Sequence, residues 1–356
     1  DLVLFVNPNF ITLHAPRNGA DVPFVAEHEE TTERAERSID TERQWHLVLS
    51  GVIDAWGITE GRSDIRVAIL DDGIDVGHPE FAGRVFDEYD FDAHVADGRP
   101  KLGGDNHGTA CAGVALAAGQ KAHGVAPACS LIAVRTPAWL ATSEEAQMFR
   151  WAADRGADVI SCSWGPQDGS GPFPMPDATQ SAIAYCITQG RGGKGIPIFF
   201  AAGNGDESVS EDGYAAHGNV MAIAASTSEE TRASYSDFGP EIWLCAPSSG
   251  GTRSVYTADR RGSAGYNPSE GGPSDDPDYF NAFGGTSSAA PLVAGVAALM
   301  LSENRNLTAQ EVREILKDTA EQIGSSSDYD AQGHSNLYGY GRVSAFRAVE
   351  EAPGSF

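Results

Sequence analysis

From Ile65 onward the sequence alternates short apolar runs with helical patterns, and this alternation constrains the fold more than any other feature. The apolar runs cover residues 66–70, 130–134, 159–161, 196–201 and 220–224. Helical patterns lie between several of them, at about 143–155 and 178–188. Strands that alternate with helices form a parallel sheet with right-handed crossovers. We therefore expect an α/β protein with a mainly parallel central sheet, and reactive side chains at the carboxyl ends of its strands.

The second half of the chain adds a loop region and two more helices. Residues 248–285 are rich in Gly, Ser, Pro and Asp, which predicts a long loop. Apolar residues at 289–302 predict a buried helix, and residues 311–319 predict another.

The chain is strongly acidic, with 24 basic and 50 acidic residues and a net charge of −26. Such a chain repels nucleic acid and anionic membranes and favours basic ligands and calcium, although the excess also serves solubility. No apolar run reaches the 18 residues of a membrane helix. Five cysteines, at 111, 129, 162, 186 and 245, cannot all pair internally. We interpret most of them as small buried residues, with at most one or two disulfides.

Three glycine-containing segments carry the residue types that nucleophilic catalysis needs. They cover residues 69–75, 106–113 and 285–291. A serine hydroxyl such as that of Ser287 is a poor nucleophile unless a base such as His107 accepts its proton and a third group orients the base. Asp71 and Asp72 both follow an apolar run, but adjacent strand residues point to opposite faces, so only one can reach His107. The alternative is that both acids belong to a cation site.

The three segments, in the order Asp, His, Ser, closely resemble the signatures of the subtilisin-like serine proteases, or subtilases. This resemblance implies a three-layer α/β/α fold and an acyl-enzyme on Ser287, with Asp71 as the acid because the family pattern is Asp, one residue, then Gly. It also implies that the Asn204 side chain and the Ser287 backbone N–H stabilise the oxyanion, with Ser287 just before a helix that begins near Ala289. Taken alone, an Asn before Gly predicts only a turn.

Additional segments resemble the kexin/furin branch of the family. They are residues 71–73, Cys111, residues 163–166, 189–193, 203–205 and 212–214. In that branch the positions of Asp168 and Asp212 line the primary pocket, where a carboxylate selects Arg or Lys through a charge-assisted pair. Asp72 would face the next substrate residue. The resemblance also implies that substrate is bound by Ser163, Trp164, Gly165 and Tyr214. The backbone near Trp164 would pair with an extended peptide. The alternative is that these acids are only part of an acidic surface.

The same resemblance implies a calcium ion beside this pocket. Two neighbouring carboxylates need a counter-ion, and ligation by oxygen alone suits Ca²⁺. The expected ligands are Asp168, Asp237 and an acid from the pair Asp206 and Glu207, between which the sequence does not choose. A second family site would use Glu80, but the loop at 116–123 lacks Asn or Asp, so we do not expect calcium there.

The N-terminal residues resemble the end of a propeptide. We expect residues 1–37 to be a propeptide-like strand and linker, and residues 38–356 to be the catalytic domain. The linker contains Arg34 and Arg37, a minimal furin-like motif, which predicts self-cleavage between Arg37 and Ser38, with cuts after Arg17 or Arg34 as lesser options. The expected partners are peptides or proteins with basic residues and the chain's own propeptide. We expect a monomer, and calcium with a propeptide favours a secreted or periplasmic location.

Two other functions fit the same residues. A transpeptidase or macrocyclase would pass the acyl group to an amine instead of water. A degenerate, calcium-dependent peptide-binding module would use the fold without catalysis, although the complete set of Asp71, His107, Ser287 and Asn204 argues against it.

Overall fold

The computed structural model describes residues 39–136, 142–267 and 276–352. Its centre is a parallel sheet of seven strands in the order β2-β3-β1-β4-β5-β6-β7. The strands are Arg66–Asp71 (β1), Val85–Asp90 (β2), Ser130–Arg135 (β3), Val159–Cys162 (β4), Ile198–Ala201 (β5), Met221–Ser226 (β6) and Ile242–Pro247 (β7). The predicted α/β class with a parallel sheet is confirmed.

The strands that the sequence predicted are buried, although burial alone did not make β7 predictable. Strands β3 to β6 are buried along their whole length, and β1 everywhere except at Arg66. Strands covered on both faces are continuous apolar runs, which the sequence analysis recognised. Strand β2 lies at one edge and is mostly half-exposed, with the sequence VFDEYD. It was not predicted, and neither was β7 at the opposite edge.

Eight α-helices accompany the sheet in the described residues. They are Trp45–Leu49 (α1), Val52–Ala55 (α2), His107–Leu116 (α3), Thr142–Asp154 (α4), Asp177–Gly193 (α5), Thr286–Glu303 (α6), Ala309–Asp318 (α7) and Ala345–Glu351 (α8). Helices α3 and α6 pack against each other and against the sheet, while α4 and α5 pack against each other. Phe149 of α4 contacts Phe200 of β5. The arrangement is the three-layer α/β/α architecture.

Helix α6 is the central helix, and every residue from Thr286 to Ser302 is buried. Gly295 permits its close approach to the chain around Val125, because a Cβ at Gly295 would lie only 2.6 Å from the Val125 Cβ. Among the described residues, α6 alone has the length and apolar composition of a membrane span, and 94% of that window is buried inside the protein. All five cysteines are buried and free, in agreement with their interpretation as small buried residues.

The predicted long loop at 248–285 contains a two-stranded antiparallel ribbon, Val255–Ala258 (β8) and Tyr279–Phe283 (β9). The ribbon contacts α3, where the Thr257 hydroxyl donates to the Ala110 carbonyl. The residue just before β8 also contacts α1, since Trp45 Nε1 donates to the Ser254 carbonyl. The propeptide-like segment at 1–37 and the predicted processing site at Arg37 and Ser38 lie outside the described residues, so both remain predictions.

Candidate active site

Asp71 and His107 form an ion-pair-like contact at the carboxyl edge of the sheet. Asp71 ends β1 and His107 begins α3, and His107 Nδ1 lies 2.8 Å from Asp71 Oδ1. Both side chains are buried. Burial alone would lower the pKa of His107, but the negative charge of Asp71, with smaller contributions that include Cys111, raises this pKa well above its ordinary value. The contact uses Nδ1, so Nε2 is the nitrogen left for Ser287.

Ser287 lies in the first turn of α6, which begins at Thr286 and not near Ala289 as predicted. The turn into the helix is made by Gly285, whose φ of 71° favours glycine. The Ser287 hydroxyl is buried and makes no hydrogen bond within the described residues. Cys111 connects the site, because its Sγ lies 3.6 Å from His107 Nδ1 and 3.4 Å from the Ser287 carbonyl oxygen. Cys111 therefore contacts both His107 and the backbone of Ser287, and among the described residues the Ser287 hydroxyl makes no hydrogen bond to His107, as is common before substrate binds.

Asp72 caps helix α3, a role that the sequence analysis did not foresee, and its contact with the next substrate residue stays a prediction. Its Oδ1 accepts the Gly108 N–H at 2.7 Å, and its Oδ2 accepts the His107 N–H at 3.1 Å. The side chain is only 8% exposed, and burial, followed by the charge of Asp71, raises the pKa of Asp72 to about 8. A carboxylate at a helix N-terminus satisfies N–H groups that have no acceptor inside the helix. Asp72 therefore orients the backbone of His107.

Asn204 follows β5, and its side chain has one bonded and one unbonded end. Its Oδ1 accepts the Thr286 N–H at 2.9 Å and the Thr286 hydroxyl at 3.1 Å. These donors fix the orientation of the amide. The Nδ2 group is buried and makes no hydrogen bond within the part of the chain described. The Ser287 N–H belongs to the first turn of α6, where N–H groups have no acceptor in the helix. The two donors are therefore available to an anionic oxygen.

The segment that follows β4 contacts the same site. The Ser163 hydroxyl donates to the Ser287 carbonyl at 3.1 Å. The Trp164 ring lies in the core, with its Nε1 donating to the Leu70 carbonyl at 2.8 Å. Trp164 and Gly165 can therefore meet a peptide only through their backbone, as the sequence analysis expected for this segment.

Tyr214 is not a pocket-lining side chain, contrary to the prediction. Its ring is fully buried and packs against Trp164 and Phe173, because the bulky apolar ring is removed from water there. Its hydroxyl donates to Glu145 Oε2 at 3.2 Å. Its contribution to the pocket is its backbone N–H, which donates to Asp212 Oδ1 at 2.7 Å.

Asp168 and Asp212 line one small pocket, whose role as the primary specificity pocket stays a prediction. Its other lining residues include Gln167, Glu207, Glu211 and Asp237. Asp212 Oδ2 is buried without a hydrogen bond from any described residue. Burial raises the pKa of Asp212 to about 7, and Asp168 adds like charge. Asp168 Oδ1 accepts the backbone N–H of Asn204 at 3.4 Å. This bond connects the pocket to the residue whose side-chain Nδ2 is unbonded within the described residues.

Three of the acids that line this pocket could hold a metal ion. Carboxylate oxygens of Asp168, Glu207 and Asp237 lie within 4.8 Å of one another. Burial and the nearby charges of Asp168 and Glu207 raise the pKa of Asp237 to about 7. Clustered carboxylates with this like-charge cost fit an oxygen-preferring divalent cation such as Ca²⁺. Asp206 is not part of the cluster, because its side chain is 58% exposed and pairs with Arg232 at 2.6 Å. The structure thus selects Glu207 over Asp206.

Glu80 is satisfied by the chain itself. Its two oxygens accept four backbone N–H groups and the Tyr279 hydroxyl; the N–H groups belong to Gly119, Gln120, Lys121 and Ala122. This loop binds the carboxylate where a cation would otherwise be needed.

Sequence reasoning missed several residues of the site. Cys111 was noted only as a branch marker, and its contact with His107 was not foreseen. Phe283 packs edge-on against the His107 ring at 5.7 Å. Thr286 fixes the amide of Asn204. The small residues of the motif at 285–291 point to Thr286 as part of the site. No local sequence pattern indicates the contacts of Cys111 and Phe283 with His107.

Comparison with known proteins agrees with this geometry. Residues 62–341 match the model of the Subtilase family. The chain is 45% identical over 340 residues to the calcium-dependent protease of Nostoc sp., covering 87% of this chain and 51% of that protein. It is 30% identical to kexin of Saccharomyces cerevisiae, covering 87% and 39%. The chain thus spans about half the length, or less, of these relatives.

Solved structures give the same result for the fold. Fervidolysin of Fervidobacterium pennivorans, a keratinolytic enzyme related to subtilisin, is 25% identical with a TM-score of 0.72, covering 90% of this chain and 47% of that one. The family match spans most of the chain, and it includes the bonded pair Asp71 and His107 and the Ser287 that Cys111 connects to them. The chain belongs to the subtilase family.

Proposed function

We propose that this chain is a serine endopeptidase that hydrolyses peptide bonds after Arg or Lys. The observation that carries the basic specificity is the buried Oδ2 of Asp212, which no described residue bonds, in a pocket that it shares with Asp168. An isolated buried carboxylate is costly unless it is protonated or paired. A guanidinium or ammonium group would supply the charge-assisted bonds that this oxygen lacks. The similarity to kexin supports the proposal.

The chemistry follows from the contacts around Ser287. His107 Nε2 accepts the hydroxyl proton as Ser287 Oγ attacks the scissile carbonyl, and Asp71 stabilises the resulting imidazolium through Nδ1. The oxyanion accepts bonds from Asn204 Nδ2 and the Ser287 N–H. His107 then gives its proton to the leaving amine, which leaves an ester on Ser287. Water, activated by His107, hydrolyses this ester and restores the hydroxyl.

Calcium dependence is the second part of the proposal. Asp168, Glu207 and Asp237 would hold the ion, which would supply positive charge that offsets their mutual repulsion. Glu207 also accepts the Gly169 N–H at 2.9 Å. The cluster therefore joins the chain near 168 to the chain near 207, the two sides of the pocket. The similarity to a protein named calcium-dependent protease supports this role.

The decisive test is cleavage of a peptide library with and without a calcium chelator. We expect cuts after Arg and Lys that disappear when calcium is removed, and no cuts by Ser287→Ala. Cuts after apolar residues by the calcium-loaded enzyme would contradict the basic specificity. A labelled peptide also separates the two other functions: ligated product masses indicate a transpeptidase, and binding without reaction of Ser287 with a fluorophosphonate indicates a peptide-binding module.

We also propose that the chain matures by cutting itself between Arg37 and Ser38 and acts outside the cytoplasm as a monomer. The support is the Arg34 and Arg37 spacing and the proposed specificity. N-terminal sequencing of the active enzyme should give Ser38. An unchanged N-terminus in fully active protein would contradict this proposal.

A further inference from the structure

A buried acid behind the specificity pocket has no part in the chemistry described so far. Glu145 lies in the first turn of α4, and its side chain is fully buried. Acidic side chains are rarely buried without a partner. Its Oε2 accepts the Tyr214 hydroxyl at 3.2 Å, and the Thr179 hydroxyl of α5 faces the same carboxyl group. Glu145 therefore joins α4 and α5 to Tyr214.

Tyr214 carries this connection to the pocket. Its ring packs in the core against Trp164 and Phe173. Its N–H donates to Asp212 Oδ1 at 2.7 Å, and Asp212 Oδ2 is the unbonded oxygen in the pocket. The backbone around Asp212 is also paired with Phe173, because the Gly213 N–H donates to the Phe173 carbonyl at 2.9 Å. The position of Asp212 thus depends on where Tyr214 lies.

We infer that Glu145 is a positioning residue for substrate selection: through the Tyr214 hydroxyl it fixes the residue whose backbone holds Asp212. This inference rests on the proposed function, because it assigns to Asp212 the recognition of a basic side chain. Glu145 lies behind the pocket wall and touches neither substrate nor the reacting atoms. Its loss should therefore change how well an Arg side chain is bound, and should leave the acyl-transfer steps unaffected.

The test compares substrates that differ only in Arg or Met before the cut. Glu145→Leu removes the acceptor, and Tyr214→Phe removes the donor. For both we expect kcat/KM with the Arg substrate to fall about tenfold, mostly through KM, the size of one lost buried hydrogen bond. The Met substrate should change less than about twofold. Glu145→Gln keeps an acceptor for Tyr214 and should retain the Arg preference. Gln147→Leu, an exposed position on the same helix, is the matched control.

Two outcomes would overturn the inference. One is an unchanged Arg to Met ratio in both Glu145→Leu and Tyr214→Phe, with active-site titration showing folded enzyme. The other is a crystal structure of Glu145→Leu in which Asp212 and the Tyr214 N–H keep their 2.7 Å contact. The crystal structure does not depend on which substrate is cut. A wild-type enzyme without Arg preference would overturn the proposed function instead, and displacement of Asp212 would still support the positioning role.

Discussion

Removing calcium should destabilise the protein more strongly as the pH rises. In the calcium-free protein, burial and neighbouring carboxylates raise the pKa of Asp237 from 3.8 to about 7. A raised carboxyl pKa contributes stability that is complete below the unfolded pKa and is lost as the pH rises through the folded one. The free energy of unfolding of the calcium-free protein should therefore fall between about pH 4 and pH 7.

The magnitude follows from that pKa difference. At about 1.4 kcal/mol for each pH unit, the change from 3.8 to about 7 amounts to about 4 kcal/mol. For a domain of this length this corresponds to a change in Tm of about 6 °C. With calcium bound the ligands stay ionised, so the same loss should not occur. The Tm difference between calcium-loaded and chelated protein should thus grow by about 6 °C from pH 4 to pH 8.

Thermal denaturation of the full chain, in excess calcium and in excess chelator at several pH values, measures this difference. Titrations common to both forms cancel in the comparison. Glu207→Gln should abolish most of the calcium effect, whereas Asp206→Asn, next in sequence but paired with Arg232, should retain it. A calcium effect that does not vary with pH, or one that Asp206→Asn removes and Glu207→Gln preserves, would refute this reasoning.

Three more predictions follow from the site. Asn204→Ala removes a donor that has no other bond, so kcat should fall about 100- to 1000-fold with little change in KM, as steady-state kinetics would show. Because the pKa of His107 is raised and catalysis needs the neutral imidazole, kcat/KM should rise with pH through a value above 6.5, and an acid limb at or below 6.5 would contradict the pairing with Asp71. Arg260 and Arg261 are the chain's only adjacent basic residues, and Asp75 holds the Arg261 guanidinium through two bonds of 2.8 and 2.9 Å. Native Ser287→Ala protein should therefore resist trypsin after Arg261, and adding Asp75→Asn should expose that bond, as peptide masses would reveal.

The sequence by itself determined the fold class and the three segments of the site. Buried parallel strands must be continuous apolar runs, so β1 and β3 to β6 were visible without a structure. The Asp, His and Ser signatures are local because each needs a glycine at a tight turn or close approach. At Gly108, for example, a Cβ would lie 2.5 Å from the Gly73 carbonyl oxygen. Because such a glycine stands at a fixed distance in the sequence from the Asp, His or Ser, the motif can be recognised without a structure.

Only the tertiary structure decided what each acid does. Asp72 caps α3, which the sequence did not indicate, while Tyr214 was expected in the pocket and instead lies behind it. The choice between Asp206 and Glu207 depended on Arg232, which lies 26 residues from Asp206 in the chain. The direction of a carboxylate and the charges around it are set by segments brought together on folding, so a sequence with 50 acids does not itself show which of them face a cation.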